Sequence, residues 1–392
     1  MKEVVVVGAV RTAIGTFGGA LKDYPATDLM ALVIKEALKR AKVQPDTVDD
    51  VIVGQCMQRM DEVVTGRLAA LKAGLPVKVP GVTIHRNCAS AMQSVVYGAQ
   101  QIMLGDMDIV VAGGVEVMSR TPYTLNDARW GKRLQHGVMS DGLWDALTDS
   151  WCGLIMGLTA ENLAEKYSIS RQEQDVVALR SHNCAEAATK EGRFQEEIVP
   201  VEIPQRKGDP IVFDKDEHFR PGLTMEQLAR LKPTFKKDGT VTPGNASGIN
   251  DGAAALVLTS ATKAEQLALE PIARLVGHGL GAVEPELMGY GPVPATKQAL
   301  ARTGLTIEDM ELVELNEAFA AQYIACEKLL GLNREITNVN GSGIALGHPV
   351  GCTGARIIVS LLHEMRRRKN RLGLATLCVG GGMGQATIWE MI

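Results

Sequence analysis

The stretch from Gly81 to Gly114, GVTIHRNCASAMQSVVYGAQQIMLGDMDIVVAGG, decides the fold class. Val82 and Ile84 make GVTIH a short strand. After it, Ala91, Met92, Val95, Val96 and Ala99 recur at helical spacing. DIVVAGG, beginning at Asp108, is a β-branched run and reads as the next strand. Strand, helix and strand in succession predict an α/β protein with a largely parallel sheet.

The pattern continues outward. VVVVG from Val4 is a strand, and Asp28 to Lys42 carries Leu29, Leu32, Val33, Ala37 and Leu38 on one helical face. VDDVIVGQ reads as a helix end followed by a strand. The same order returns near the C-terminus. PIARLVGHG is a strand, VPATKQALARTG a helix, ELVELNEAFAAQYIACEKLLG a strand turning into a helix, and ITNVNGSG a strand. GARIIVSLLHEMRRR is a helix and GLATLCVGGGMGQATIWE a glycine-broken strand pair. Helix 89–104 matches helix 354–368, and DIVVAGG matches LATLCVGG. The order of elements predicts a diverged duplication.

Between the halves the texture changes. Residues 118–247 hold three of the four tryptophans and many prolines and charges. They include a helix at GLTAENLAEKY and a second at ISRQEQD, where Ser170 and Glu173 form a capping-box pattern. PVEIPQRKGDP and FKKDGTVTPGNASGIND read as loops. The predicted organisation is an N-terminal half of 1–117 plus 248–270, an inserted region of 118–247 and a C-terminal half of 271–392. The insert is expected to bind ligand, make oligomer contacts, or both.

Composition bounds the function. The 392 residues carry a formal charge of -4, with 46% hydrophobic and 4% aromatic residues. No basic excess points to nucleic acid. The run Arg366-Arg367-Arg368-Lys369 ends a predicted helix, where cations complement the dipole. No apolar run approaches the roughly 20 residues of a membrane helix, and the N-terminus reads as a strand, so a soluble cytoplasmic protein is expected. Seven scattered cysteines do not form a disulfide framework, and their spacing with histidine does not suit zinc. Cys56, Cys152, Cys184, Cys326 and Cys352 are expected to be mostly small buried hydrophobes.

Four constellations carry chemistry. In HRNCASAMQS, Cys88 stands where strand gives way to helix, and the helix N-terminus favours a thiolate there. The small Ala89 and Ser90 would let a substrate approach, with the logic of a nucleophile elbow. In NVNGSGIALGHPVGCTGAR, His348 precedes the matching helix of the second half. If the two helix N-termini converge, His348 takes the proton from Cys88. A dinucleotide loop does not fit, because GSGIALG has one residue too many for G-x-G-x-x-G. In CVGGGMGQA, Cys378 ends a strand before Gly380, Gly381, Gly382 and Gly384, whose free N–H groups suit an oxyanion hole. In ELNEAFAAQ, Asn316 and Glu317 end an apolar strand, where buried polar groups need partners. An oxyanion or water-holding role competes there with a helix N-cap.

Together, and in this order, these motifs resemble the thiolase family. The likeness runs from VRTAIG to the last strand and includes NEAFA at Asn316–Ala320, GHPVGCTGAR at Gly347–Arg356 and CVGGGMG at Cys378–Gly384. AGGVEVMS, TAENLA and GNASGINDGAAA support it. The resemblance implies a duplicated five-layered α-β-α-β-α fold with an inserted loop domain. It also implies an acyltransferase moving acyl groups reversibly between acyl-CoA and acetyl-CoA through a Cys88 thioester. On this reading His348 activates Cys88, and Cys378 moves a proton at the α-carbon. Asn316 holds a water that stabilises the enolate oxygen with His348. The N–H groups of Cys88 and Gly380 form a second oxyanion hole. Arg220, Ser247 and Met156 are the implied contacts to coenzyme A, which is substrate and product and not a resident cofactor. No metal is expected, and a homodimer or homotetramer is.

Three departures from the acetoacetyl-CoA subgroup bear on the acyl pocket. Ile155-Met156 stands for His-Met, Cys88-Ala89-Ser90-Ala91 for Cys-Gly-Ser-Gly, and Glu62-Val63-Val64-Thr65-Gly66-Arg67 for Gly-Gln-Asn-Pro-Ala-Arg. Two rival readings are a condensing synthase acting on carrier-protein thioesters and a non-catalytic thiolase-like subunit. Cys378 argues against the first, the intact motifs against the second.

Overall fold

The computed structural model describes residues 2–392. In the N-terminal half the strand order is Val4–Thr12, Asn250–Ser260, Ile109–Val117, Asp50–Gly54 and Val82–Ile84. In the C-terminal half it is Ala273–Ala282, Met383–Met391, Leu372–Val379 and Leu312–Leu315. The two paths meet where Val5 and Val6 pair antiparallel with Arg274 and Ala273. Corresponding strands hold corresponding places. Asp50–Gly54 runs parallel to Ile109–Val117, as Leu312–Leu315 does to Leu372–Val379. The next two steps are antiparallel in each half. The duplication expected from element order is present in the topology.

The sheet is mixed, however, and not largely parallel. A parallel step needs a crossover segment, whereas a tight turn can only reverse the chain. Gly381 and Gly382 have φ of +87° and +73°, so Leu372–Val379 turns straight back into Met383–Met391.

The layers follow from which faces are apolar. The helices Ser90–Leu104 and Val350–Arg368 lie between the two half-sheets. Met92, Val95, Ile357, Ile358 and Leu361 share one core with Leu256 of the first half and Leu377 and Trp389 of the second. The helix Ala26–Ala41 covers the outer face of the N-terminal sheet. Pro292–Thr303 and Ala320–Leu330 cover the outer face of the C-terminal one. This is five layers, α-β-α-β-α. Strand alternation sorts the side chains: Val4 and Val6 face the central layer, Val5 and Val7 the outer one.

The chain leaves the main sheet after Val117 and re-enters it as the long strand from Asn250. In between, Met156–Lys166 and Arg171–Lys190 form helices that pack on Ala320–Leu330. Ser170 and Glu173 make the capping box their spacing predicts. Arg11 ties this region to the first strand: fully buried, it pairs bidentately with Asp216 and with Glu197 at 2.6 Å. Four local readings change, the first being ITNVNGSG, which forms turns and a single bridge from Thr337 to Val313 where a strand was expected. Val201–Ile203, expected to lie in a loop, pairs with Ile211–Phe213 in a two-stranded ladder, because Val201 and Phe213 have a core to enter. Asn250 and Asp251 belong to a strand. A 3-10 turn at Pro45–Thr47, and no helix end, precedes Asp50–Gly54. Among the described residues no helix is long and apolar enough to cross a membrane.

Candidate active site

Cys88 sits on a turn built by its neighbours. Asn87 has φ +43°, left-handed, a region asparagine tolerates better than most residues. The Ser90 hydroxyl donates to Asn87 O at 2.7 Å and accepts from Arg86 N–H at 2.8 Å. Ala89 and Ser90 are therefore buried structural residues; they do not open a path for substrate. Gly54 lets strand and helix nearly touch here: an added Cβ would lie 2.3 Å from Ala91 N.

The two helix N-termini converge as the duplication predicts. A Cβ on Gly354 would lie 2.4 Å from Met92 N, so the helices cross with backbones in contact. Val350, two residues past His348, packs in one cluster with Cys88, Cys56 and Met57. A cavity of about 690 Å³ opens over Cys88. Its walls include Cys56, Met57, Leu147, Met156, Val350 and Gly380.

The second half completes the floor. The Gly380 N–H points at the Cys88 sulfur and lowers its pKa, while the Gly380 carbonyl accepts from Asn87 Nδ2 at 2.8 Å. Asn87 is a site residue the sequence reading missed; an asparagine directly before a cysteine at a strand-to-helix turn was the available signal. Burial dominates the electrostatics of Cys88. It pushes the thiol up to about 11, overriding the N–H groups of Gly380 and of Cys88 itself. Cys88 therefore rests mainly as the thiol, because the cost of taking a thiolate out of water exceeds what the helix end and the N–H groups return.

His348 is buried, and burial pushes its pKa down to about 3, helped by the positive charge of Arg356. Its backbone N–H donates to Asn250 Oδ1 at 2.9 Å, its Nδ1 lies 2.7 Å from Thr353 Oγ1, and Asn316 Nδ2 is 3.4 Å away. Asn316 is fully buried; its Oδ1 accepts from Arg356 at 3.5 Å, which turns its amide nitrogen toward His348. Neither Asn316 nor Glu317 caps a helix: Phe319 holds that place for Ala320–Leu330. Glu317 accepts from Ser181 at 2.5 Å and Asn338 at 2.9 Å, a structural role.

Cys378 is buried beside Met156, Ala318 and Phe319. Burial holds its thiol well above the ordinary value, and ionisation of Cys88 would raise it further. Glu116 was also missed. Its carboxylate accepts from the N–H groups of Cys56, Met57 and Gly351, at 2.9, 3.0 and 3.0 Å, and so ties a cavity wall to the His348 helix. Burial still raises its pKa to about 7.

The structure brings Cys88, Met156 and Gly380 to one cavity; Cys378 packs with Met156, and Asn316 lies beside His348, none of these three lining the cavity. Ser247 donates its N–H to Ala318 O at 2.9 Å, on the Cys378 side. Arg220 is exposed and lines a separate surface cavity with Leu223 and Gln227. Of the remaining cysteines, Cys326 and Cys352 are buried as expected, while Cys56 lines the cavity. The departures touch the cavity less than expected: Met156, common to both patterns, lines it, whereas the changed Ile155, Glu62–Arg67 and Ala89–Ala91 do not.

A half-buried cysteine at a strand-to-helix turn, facing a backbone N–H of the second half, is suited to cysteine-dependent acyl transfer on a duplicated α/β fold. Comparison with known proteins agrees. Residues 4–262 match the model for the thiolase N-terminal domain, and 269–391 that for the thiolase C-terminal domain. The chain is 52% identical over 389 residues to an acetyl-CoA acetyltransferase of Chromobacterium violaceum, covering 99% of each. It superposes on the Bacillus anthracis acetyl-CoA acetyltransferase with a TM-score of 0.99 at 54% identity, covering 100% of this chain and 99% of that one. For human mitochondrial 3-ketoacyl-CoA thiolase in complex with CoA the values are 0.96, 45%, 100% and 98%. The chain belongs to the thiolase family. It is an acyltransferase.

Proposed function

We propose that Cys88 carries the acyl group as a thioester between two half-reactions, the thiolysis of a 3-ketoacyl-CoA and its reverse, Claisen condensation. The observation that carries this is the placement of Cys88 in the wall of the cavity, facing the Gly380 N–H. His348 takes the Cys88 proton as sulfur attacks the acyl carbon. The N–H groups of Cys88 and Gly380 receive the oxyanion, and removal of such a donor typically costs about 3–4 kcal/mol. Cys378 delivers or removes the proton at the α-carbon of acetyl-CoA. Asn316, through a water, and His348 hold the enolate oxygen. Both thiols rest neutral, so each proton moves with bond making and not before it.

Coenzyme A enters as substrate and leaves as product. Met156 lines its reactive end and Ser247 its arm, while the exposed guanidinium of Arg220 suits a phosphate. The segment 118–247 acts as the CoA-binding and oligomer-contact unit. A cytoplasmic homodimer or homotetramer working in fatty-acid or ketoacid metabolism fits this chemistry. The test is incubation with a mixed acyl-CoA set followed by mass spectrometry. An acyl adduct on Cys88, with CoA-dependent loss of 3-ketoacyl-CoA absorbance, is expected, and the adduct mass reports the preferred acyl group. No adduct and no thiolysis across a chain-length panel would sink the proposal.

A further inference from the structure

The Thr353 hydroxyl lies 2.7 Å from His348 Nδ1 and 2.9 Å from the Pro349 carbonyl oxygen. A hydroxyl has one proton and two acceptor lone pairs. A carbonyl oxygen cannot donate, so the contact with Pro349 is a hydrogen bond only when the hydroxyl proton points there. The same oxygen then offers only lone pairs to His348, and the short contact requires a proton on Nδ1. We infer that Thr353 is a positioning residue: it holds His348 in the tautomer protonated at Nδ1 and leaves Nε2 as a bare lone pair.

A separate observation agrees. His348 Nε2 is buried without a protein partner. Buried N–H groups without an acceptor are rarer than under-used acceptors. The opposite tautomer would create such an orphan and would set the Thr353 and Pro349 oxygens 2.9 Å apart with no proton between them. The one contact that favours it, from Asn316 Nδ2, is 3.4 Å long and beyond good hydrogen-bond range.

The inference rests on His348 serving as base for Cys88 and says how that base is prepared. As the Cys88 S–H bond breaks, an N–H bond forms at Nε2. The resulting cation keeps Nδ1–H on Thr353 and returns the Nε2 proton to the departing CoA sulfur as the acyl–sulfur bond of acetyl-CoA breaks. The start of one helix therefore supplies both the base and the residue that sets its tautomer: His348 stands just before Val350–Arg368 and Thr353 in its first turn.

Solid-state nitrogen NMR of the intact protein labelled in histidine tests this, with the His348 signal identified by its loss in His348→Asn. Wild type and Thr353→Ser should both carry the proton on Nδ1. Thr353→Val removes the acceptor. It should shift protonation to Nε2 and slow acetyl loading of Cys88 from acetyl-CoA about 10- to 100-fold, the usual scale for losing an orienting partner; Thr353→Ser should keep near wild-type loading. A proton on Nε2 in the wild type overturns the inference, as does a Thr353→Val protein with unchanged tautomer and loading rate. Should Thr353→Val misfold, the wild-type spectrum still decides. The tautomer is read on free protein, so a chain with Nδ1–H but no thiolysis counts against the proposed function and not against the role of Thr353.

Discussion

At the scale of single residues, burial outweighs every local device that would ionise Cys88. The helix end and two N–H groups favour the thiolate, yet loss of water pushes the thiol up to about 11. The thiolate is the species that alkylates. A raised pKa lowers the thiolate fraction at neutral pH and moves the plateau of reactivity upward. Iodoacetamide labelling of Cys88 in the free protein, followed by peptide mass spectrometry, should therefore keep rising from about pH 7 to about pH 10, past the ordinary thiol value of roughly 8.5. A plateau below about pH 8 would show that the dipole wins. Cys88 and His348 were legible as residues in the sequence, each beside a helix start in a matched position. Their protonation states were not. Those depend on how many atoms shut out water, and no local spacing carries that information.

At the scale of elements, the site depends on two helices whose backbones touch. Gly354 permits this: an added Cβ would meet Met92 N at 2.4 Å and Met92 Cβ at 2.8 Å. Neither atom is the end of a flexible chain, so a helix must move. Gly354→Ala should destabilise the protein by about 1–3 kcal/mol, the usual range for overpacking. It should also slow Cys88 loading in the surviving folded protein, because His348 precedes the displaced helix. Urea titration with a parallel loading assay checks both; unchanged stability would show that the crossing can relax. The sequence displayed Gly354 within GHPVGCTGAR, but the need for glycine belongs to the crossing of Val350–Arg368 over Ser90–Leu104. The segments Val201–Ile203 and Ile211–Phe213 make the same point for strands. Each is too short to register as periodic, and becomes a strand because it finds a partner and a core.

At the scale of the whole molecule, the halves share one central layer. Residues of both sheets and both buried helices form a single cluster. Asn87 bonds to Gly380 across the halves, and Gln385 bonds to Gln93 at 3.2 Å. Neither half can keep its core without the other, so the active site should be lost only with the fold. Loss of far-UV circular dichroism and loss of Cys88 acyl loading should share one urea midpoint. Loading that disappears at lower urea would reveal a separately melting site or insert.

The sequence by itself determined the chemistry and the repeat. Thiol, imidazole, amide and glycine motifs stand at fixed places along the chain, and periodicity exposes strands and helices in a repeated order. Tertiary structure decided strand direction, the neutral resting state of both thiols and the contacts that prepare His348. Asn87 and Glu116 do their work across gaps that only folding closes. The physical reason is the range of the forces: periodicity and turn preference act over a few residues. Desolvation, backbone contact and hydrogen-bond direction depend on neighbours brought from as far as 293 residues away.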